Sequence, residues 1–177
     1  MLTPDYLQSY RIILRAIEPS DLDYLYQREN HAAVWHDGGT IAPYSRQLLH
    51  EYIEQYSADI YKDRQLRLII TLTGSRQSIG IADLYDFDPR NRRAGVGLFI
   101  DSEYRRQGYG KETLHILSRY AFQFLHLHQL YAFIRATNNP SRALFSSCGF
   151  TYSATLPAWL LTPHGYTDAV IVQRINS

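Results

Sequence analysis

Cysteine, methionine, any excess of one charge and long apolar runs are all scarce in this sequence. Cys148 stands alone, which excludes an intramolecular disulfide and a paired-cysteine metal site, and makes a reducing compartment the expected setting. Lys+Arg number 18 against 17 Asp+Glu, so there is no electrostatic footprint for nucleic acid or for a membrane surface. No stretch approaches the roughly 20 apolar residues that a membrane-spanning helix needs. The opening Met1-Leu2-Thr3-Pro4-Asp5 has no basic n-region, so no signal peptide is expected and the chain reads as cytoplasmic. The histidines and carboxylates show no metal-ligand spacing, and no metal is expected.

What is present is ordinary for a globular protein, with one exception. The 177 residues are 45% hydrophobic and 20% charged, enough for one domain over residues 1–177 with a substantial core. The 15 tyrosines are the exception. Such amphipathic rings either line a cleft or cover the edge of a core, and tyrosine-rich edges point to a homodimer.

The pattern along the chain alternates strand and helix. Arg11–Ile17 reads as a strand, and Ser20 is the expected N-cap of a helix carrying Leu22, Leu25 and Tyr26. A second helix is expected from Ser45, with Leu49, Tyr52, Ile53 and Tyr56 on one side. Residues 65–72, 79–88 and 93–101 then read as three strands joined by short turns, an antiparallel meander. The alternation puts Leu66, Leu68, Ile70 and Leu72 on one face of the first strand. It puts Asp83 with Ile79, Ile81, Tyr85 and Phe87 on the second. Gly95 and Gly97 share a face of the third, where missing side chains would admit a backbone or a slender ligand. A long helix over about 108–125, with Leu114, Leu117, Ala121 and Phe124 on one stripe, leads to a strand at 130–136 and implies a parallel pair. Asn139 is the expected cap of a helix to Ser147 ending at Gly149. Two last strands, 150–156 and 167–175, flank a hairpin.

The stretch Val96-Gly97-Leu98-Phe99-Ile100-Asp101-Ser102-Glu103-Tyr104-Arg105-Arg106-Gln107-Gly108-Tyr109-Gly110-Lys111 carries the chemistry. A strand runs into a turn with two arginines and two glycines, and a helix begins there. The helix's first N–H groups are unpaired, its dipole is positive at that end, and Arg105, Arg106 and Lys111 flank it, which suits a polyanion. It is neither a Walker loop, since Glu112 follows Lys111, nor the dinucleotide fingerprint Gly-x-Gly-x-x-Gly. A plain helix-capping turn is the competing reading of an isolated Gly-x-Gly. The spacing Arg105-x-x-Gly108-x-Gly110 straight after a strand resembles the acetyl-CoA signature of the GNAT acetyltransferase superfamily. About thirty residues on, Asn138-Asn139-Pro140-Ser141-Arg142-Ala143-Leu144-Phe145-Ser146-Ser147-Cys148-Gly149-Phe150 is similar to that superfamily's second motif. Leu14–Leu22 and Arg92-Arg93-Ala94 are similar to the branch of ribosomal-protein N-acetyltransferases and bacterial spermidine or diamine N-acetyltransferases.

The resemblance implies a GNAT-like α/β mixed sheet of the α+β type, an antiparallel meander joined to a parallel pair by a central βαβ unit, with helices on both faces. It implies acetyl-CoA as co-substrate, met by backbone groups of Leu98, Phe99 and Ile100. The pyrophosphate would lie in the Arg105, Arg106, Gln107, Gly108, Tyr109, Gly110 and Lys111 turn, and Asn138, Ser141 and Phe145 along the pantetheine arm. Phe145 departs from the family's tyrosine, the presumed acid for the leaving thiolate, and has no proton to give. For the base, Asp83 and Asp86 lie on the strand beside the central one, in positions where the spermidine branch carries acids. A surface charge or an ion pair is the plain alternative for each. His36 beside Trp35 is a further base candidate, with a surface loop residue as its plain reading. His126 and His128 suit a helix C-terminus, and Cys148 suits packing. The acceptor implied is a primary amine, on a small polyamine or diamine or at a protein N-terminus, with specificity carried by residues 30–45 and the hairpin at 157–168. A non-catalytic acyl-CoA sensor is the alternative.

Overall fold

The computed structural model describes residues 5–31 and 42–176. Strands β1 (Ile12–Arg15), β2 (Leu66–Leu72), β3 (Ser78–Asp88), β4 (Arg93–Ile100), β5 (Gln129–Arg135), β6 (Thr151–Thr162) and β7 (Gly165–Ile175) form one sheet in the order β1-β2-β3-β4-β5-β7-β6. The meander is antiparallel, with Leu14 opposite Ile70 and Leu84 opposite Val96. Strands β4 and β5 are the parallel pair, Ala94 opposite Leu130. Five α-helices lie among the described residues: α1 (Leu22–Glu29), α2 (Arg46–Gln55), α3 (Ile60–Asp63), α4 (Tyr109–Arg119) and α5 (Asn139–Ser147).

Two cores hold these layers. The larger joins the sheet to α4 and α5 through Leu14, Leu68, Ala82, Leu84, Val96, Leu114 and Leu117. The smaller lies on the opposite face, where Leu25 of α1 and Leu49 and Ile53 of α2 meet Ile69 and Ile81. Tyr24, Tyr26, Tyr44 and Tyr52 pack around that small core half-buried, so many of the tyrosines cover a core edge.

Local chemistry moves several expected boundaries. Ser20 does not cap α1. It is exposed, while Asp21 accepts the Glu18 N–H at 2.8 Å and both Arg15 Nη atoms at 2.7 Å, so a buried ion pair sets the turn. Ser45 does cap α2, its hydroxyl accepting the Leu48 N–H. Asn138, not Asn139, caps α5 through the Ser141 N–H at 3.1 Å. After Arg119 the central helix continues as a π-helical turn, Tyr120–Phe124. The inserted residue rotates Phe124 off the Leu114–Leu117–Ala121 stripe into solvent, stacked on Tyr120 at 5.2 Å. Strand β6 runs through to Thr162, beyond the expected end at Leu156.

Two irregularities in β3 decide where Asp83 faces. The ladder shifts between Gly80 and Ser78, and again between Tyr85 and Asp88, where Asp86 takes φ +48°. Bulges reverse the alternation of side chains. Ile79 and Phe87 therefore join the larger core, whereas Ile81 faces the smaller one. Asp83 does not lie on one apolar face with all four residues named from the alternation.

Candidate active site

The pairing of β4 with β5 stops early. Arg93–Gln129, Ala94–Leu130 and Gly95–Tyr131 are in register, and past Gly95 the two strands continue without facing partners. Val96–Ile100 stay paired to β3, and Ala132–Arg135 to β7. The sheet thus opens into a wedge with an unpaired edge of β4 on one side. A cavity of about 470 Å³ occupies it. Gly97 and Leu98 form one wall, β5 from Ala132 to Arg135 the other, and Ser141 and Phe145 of α5 with its cap Asn138 close one end.

Asp83 reaches the cavity because it stands opposite Gly97. A Cβ on Gly97 would lie 3.3 Å from the Asp83 Cβ and 3.5 Å from Oδ2, so the missing side chain leaves room for the carboxylate. Its Oδ1 accepts from Arg67 Nε at 2.8 Å and Gln65 Nε2 at 3.2 Å. Arg67 in turn donates from Nη1 to Glu29 at 2.9 Å. Burial opposes the Arg67 charge, but Asp83 and Glu29 outweigh it and raise its pKa. Tyr56 brackets the Arg67 backbone, its hydroxyl accepting the N–H and donating to the carbonyl. This triad from α1, β2 and β3 had no signal in the sequence beyond its charges, because its members are far apart in the chain.

The glycines and the other carboxylate have different settings. At Gly95 the space is taken by the Tyr85 ring, 2.4 Å from where a Cβ would stand, so it admits no ligand. Burial pushes the Tyr85 phenol up to about 12, with Tyr131 adding and the Phe133 N–H opposing. Asp86 is exposed on its bulge and outside the cavity lining. It lies against Tyr131, whose phenol is raised by burial first and then by Asp86.

The turn at 105–111 lies beyond the far end of β4. Arg105 Nε binds the Ile100 carbonyl at 2.8 Å, its guanidinium over Phe99 at 5.5 Å. Ile100 packs on the larger core. Gly108 has φ +86° and precedes α4 as its N-cap. The first backbone bond of the helix is Glu112 N–H to Gly108 O, which leaves the N–H groups of Tyr109, Gly110 and Lys111 without a partner within the helix. Arg106 also has positive φ, +60°, and with Lys111 it is exposed beside those donors. Gly110 serves packing, since a Cβ there would meet Leu144 of α5 at 3.1 Å.

Arg11 is a residue that sequence reading missed. It binds Glu112 at 2.7 Å and the Gln107 carbonyl at 3.0 Å, and lies over the Tyr109 ring at 4.7 Å. It ties β1 to the turn. Gln107 also holds the Glu103 carbonyl at 2.8 Å.

Phe145 is 4% exposed and meets Phe150 edge-on at 5.0 Å. Cys148 is buried with its thiol pushed up by that burial, as packing requires. His36 and Trp35 lie outside the described residues. His126, at φ +53°, follows the central helix, and His128 donates its N–H to the Arg92 carbonyl.

These features fit acetyl-CoA. An open strand edge suits an extended amide-containing arm, and three free N–H groups between Arg106 and Lys111 suit a pyrophosphate. The comparisons agree. Residues 11–151 match the acetyltransferase (GNAT) domain family. The spermidine N(1)-acetyltransferase of Escherichia coli K12 is 24% identical over 165 residues, covering 92% of this chain and 84% of that one. An uncharacterised N-acetyltransferase from the SPβ prophage of Bacillus subtilis is also 24% identical, over 93% and 90% of the two chains. Among solved structures, the Vibrio cholerae spermidine N-acetyltransferase in complex with CoA and spermine superposes with a TM-score of 0.83 at 22% identity, covering 94% and 96%. With a matched family domain spanning most of its length and the wedge-and-turn site in place, the chain belongs to the GNAT family and is an acetyl-CoA-dependent N-acetyltransferase.

Proposed function

We propose that the protein transfers acetyl directly to a primary amine within a ternary complex, with Asp83 receiving the amine proton. The observation that carries this reading is the placement of Asp83. Its Oδ1 is held by Arg67 and Gln65, while Oδ2 lies over Gly97 at the open edge of β4. Acetyl-CoA supplies the thioester carbonyl that the amine attacks. The β4 edge and the start of α4 would hold it, with Leu98, Asn138 and Ser141 along the wedge. A backbone N–H on the open edge is the donor available to a developing oxyanion. Phe145 offers no proton, and a thiol with an unperturbed pKa near ~8.5 needs little help to leave as thiolate.

The acceptor classes are a small polyamine or diamine, supported by the spermidine-named relatives, and a protein N-terminal amine. A homodimer through Tyr152, Trp159, Leu161 and Tyr166, exposed along β6 and β7, accompanies this reading, as does a cytoplasmic location.

Asp83→Asn tests the assignment. It keeps the shape and leaves Arg67 bound to Glu29, so the fold should persist. Removing a general base should lower kcat/KM by about 10²–10⁴-fold with the acetyl-CoA Kd unchanged. The deficit should shrink as pH rises and free amine becomes abundant. Wild-type rates at neutral pH, or acetyl trapped on the protein with ping-pong kinetics, would sink the reading.

A further inference from the structure

We infer that Arg11 is the positioning residue of the anion turn: it keeps the Gln107 carbonyl and the Glu112 carboxylate turned towards β1, so that the start of α4 is left to the pyrophosphate of acetyl-CoA. This rests on the placement of that pyrophosphate at the start of α4, and is independent of Asp83 and of the acceptor. Arg11 stands just before β1, where its carbonyl accepts the Thr73 N–H at 2.9 Å, so the sheet fixes its backbone. Its side chain then follows the turn residue by residue. Nη1 donates to the Gln107 carbonyl at 3.0 Å, and Nη2 lies 3.2 Å from where a Cβ of Gly108 would stand. The guanidinium covers the Tyr109 ring at 4.7 Å, and Nε donates to Glu112 Oε2 at 2.7 Å.

Two of these contacts act on groups that would oppose an anion. Glu112 belongs to the first turn of α4, and helical side chains lean towards the helix N-terminus. A loose carboxylate there would take up the positive end of the helix and repel a phosphate. Instead it accepts from both Arg11 and the Ser9 hydroxyl, and its side chain is only 19% exposed. The Gln107 carbonyl is the second group. Gln107 lies between two residues in left-handed backbone, Arg106 at φ +60° and Gly108 at φ +86°. That conformation is unfavourable for an arginine, so the turn needs a hold from outside itself, and Arg11 Nη1 supplies it. Across a trans peptide the C=O and N–H point opposite ways. Holding the carbonyl on the Arg11 side therefore turns the Gly108 N–H away from the guanidinium. A flip of this peptide would exchange the two and set an oxygen beside the first turn of α4.

The test is calorimetric titration of two probes into the full-length protein and its variants: CoA, and dephospho-CoA, which lacks the ribose phosphate but keeps the pyrophosphate. Arg11→Gln should weaken both alike, by about tenfold or more, the scale of a charge-assisted hydrogen bond. The fold should persist, since the Arg11 side chain is 42% exposed and exposed ion pairs add little stability. With acetyl-CoA as substrate, the loss should appear in KM and not in kcat at saturation. Adding Glu112→Gln to Arg11→Gln should recover part of the affinity, because no carboxylate is then set free. Unchanged affinities in Arg11→Gln, a double variant no tighter than the single one, or a loss for CoA that spares dephospho-CoA would each overturn the assignment. Lys111→Gln probes the underlying placement. If it leaves both affinities unchanged, the pyrophosphate lies elsewhere and Arg11 loses its role with it. If it weakens them where Arg11→Gln does not, the Arg11 assignment alone fails.

Discussion

The two glycines of the Arg-x-x-Gly-x-Gly turn do different work, and single substitutions should separate them. Gly108 sits at φ +86° with Arg11 Nη2 3.2 Å from where a Cβ would be. Any L side chain there is strained, so Gly108→Ala should cost about 1–2 kcal/mol in denaturant unfolding before any effect on the cofactor is considered. Gly108→Val, the obvious way to block the pyrophosphate, is therefore a poor test, because a β-branched residue suffers most at positive φ. Gly110 has helical geometry, and its Cβ would press on Leu144 at 3.1 Å. Gly110→Ala should cost about 1 kcal/mol by overpacking α4 against α5, with the acetyl-CoA Kd kept. A Kd that rises steeply in Gly110→Ala, at unchanged stability, would put the ligand rather than Leu144 against that position.

At the scale of elements, the ion triad joins α1, β2 and β3, and it is what a charge count along the chain cannot show. Removing Arg67 takes from Glu29 and Asp83 the guanidinium that they share. Arg67→Ala should destabilise the fold by about 3 kcal/mol or more, measured by urea midpoint, whereas Asp83→Asn leaves the Arg67–Glu29 pair and should cost much less. Equal losses for the two variants would show that the triad is not a coupled unit. The strand order and the turn were legible because they rest on local signals: alternation in β2, glycine spacing after β4, Ser45 at a helix start. The faces of β3 were not. Two bulges reverse its alternation: Gly80 beside the first is a local sign of it, and the second, at Asp86, has none in the sequence of residues 78–88. Arg11 and Arg67 escaped for the same reason as each other, since their partners Glu112 and Glu29 lie remote in sequence and are found through the sheet.

For the molecule as a whole, the abundance of tyrosine becomes a pH-dependent stability. Six phenols, those of Tyr24, Tyr52, Tyr56, Tyr85, Tyr120 and Tyr131, have pKa values raised first by burial. They come from both faces of the sheet, from the small core to the cavity rim and the end of the central helix. An unfolded phenol ionises near ~10, and Tyr85 in the fold does so at about 12. Above the unfolded value the unfolded chain holds fewer protons than the native one, so stability must fall as pH rises. The contribution is complete below about pH 10 and is lost as pH climbs through the folded values. These six rings should thus ionise as the chain unfolds, their tyrosinate absorbance rising together with the loss of far-ultraviolet circular dichroism. Tyr85→Phe should make the fall of stability with pH less steep by up to one proton, although it loses the bond from the Phe133 N–H and starts from a lower value. Complete tyrosinate formation with the circular dichroism intact would mean that these rings are open to solvent, and that the small core and the aromatic wall of the cleft are looser than the packing here requires.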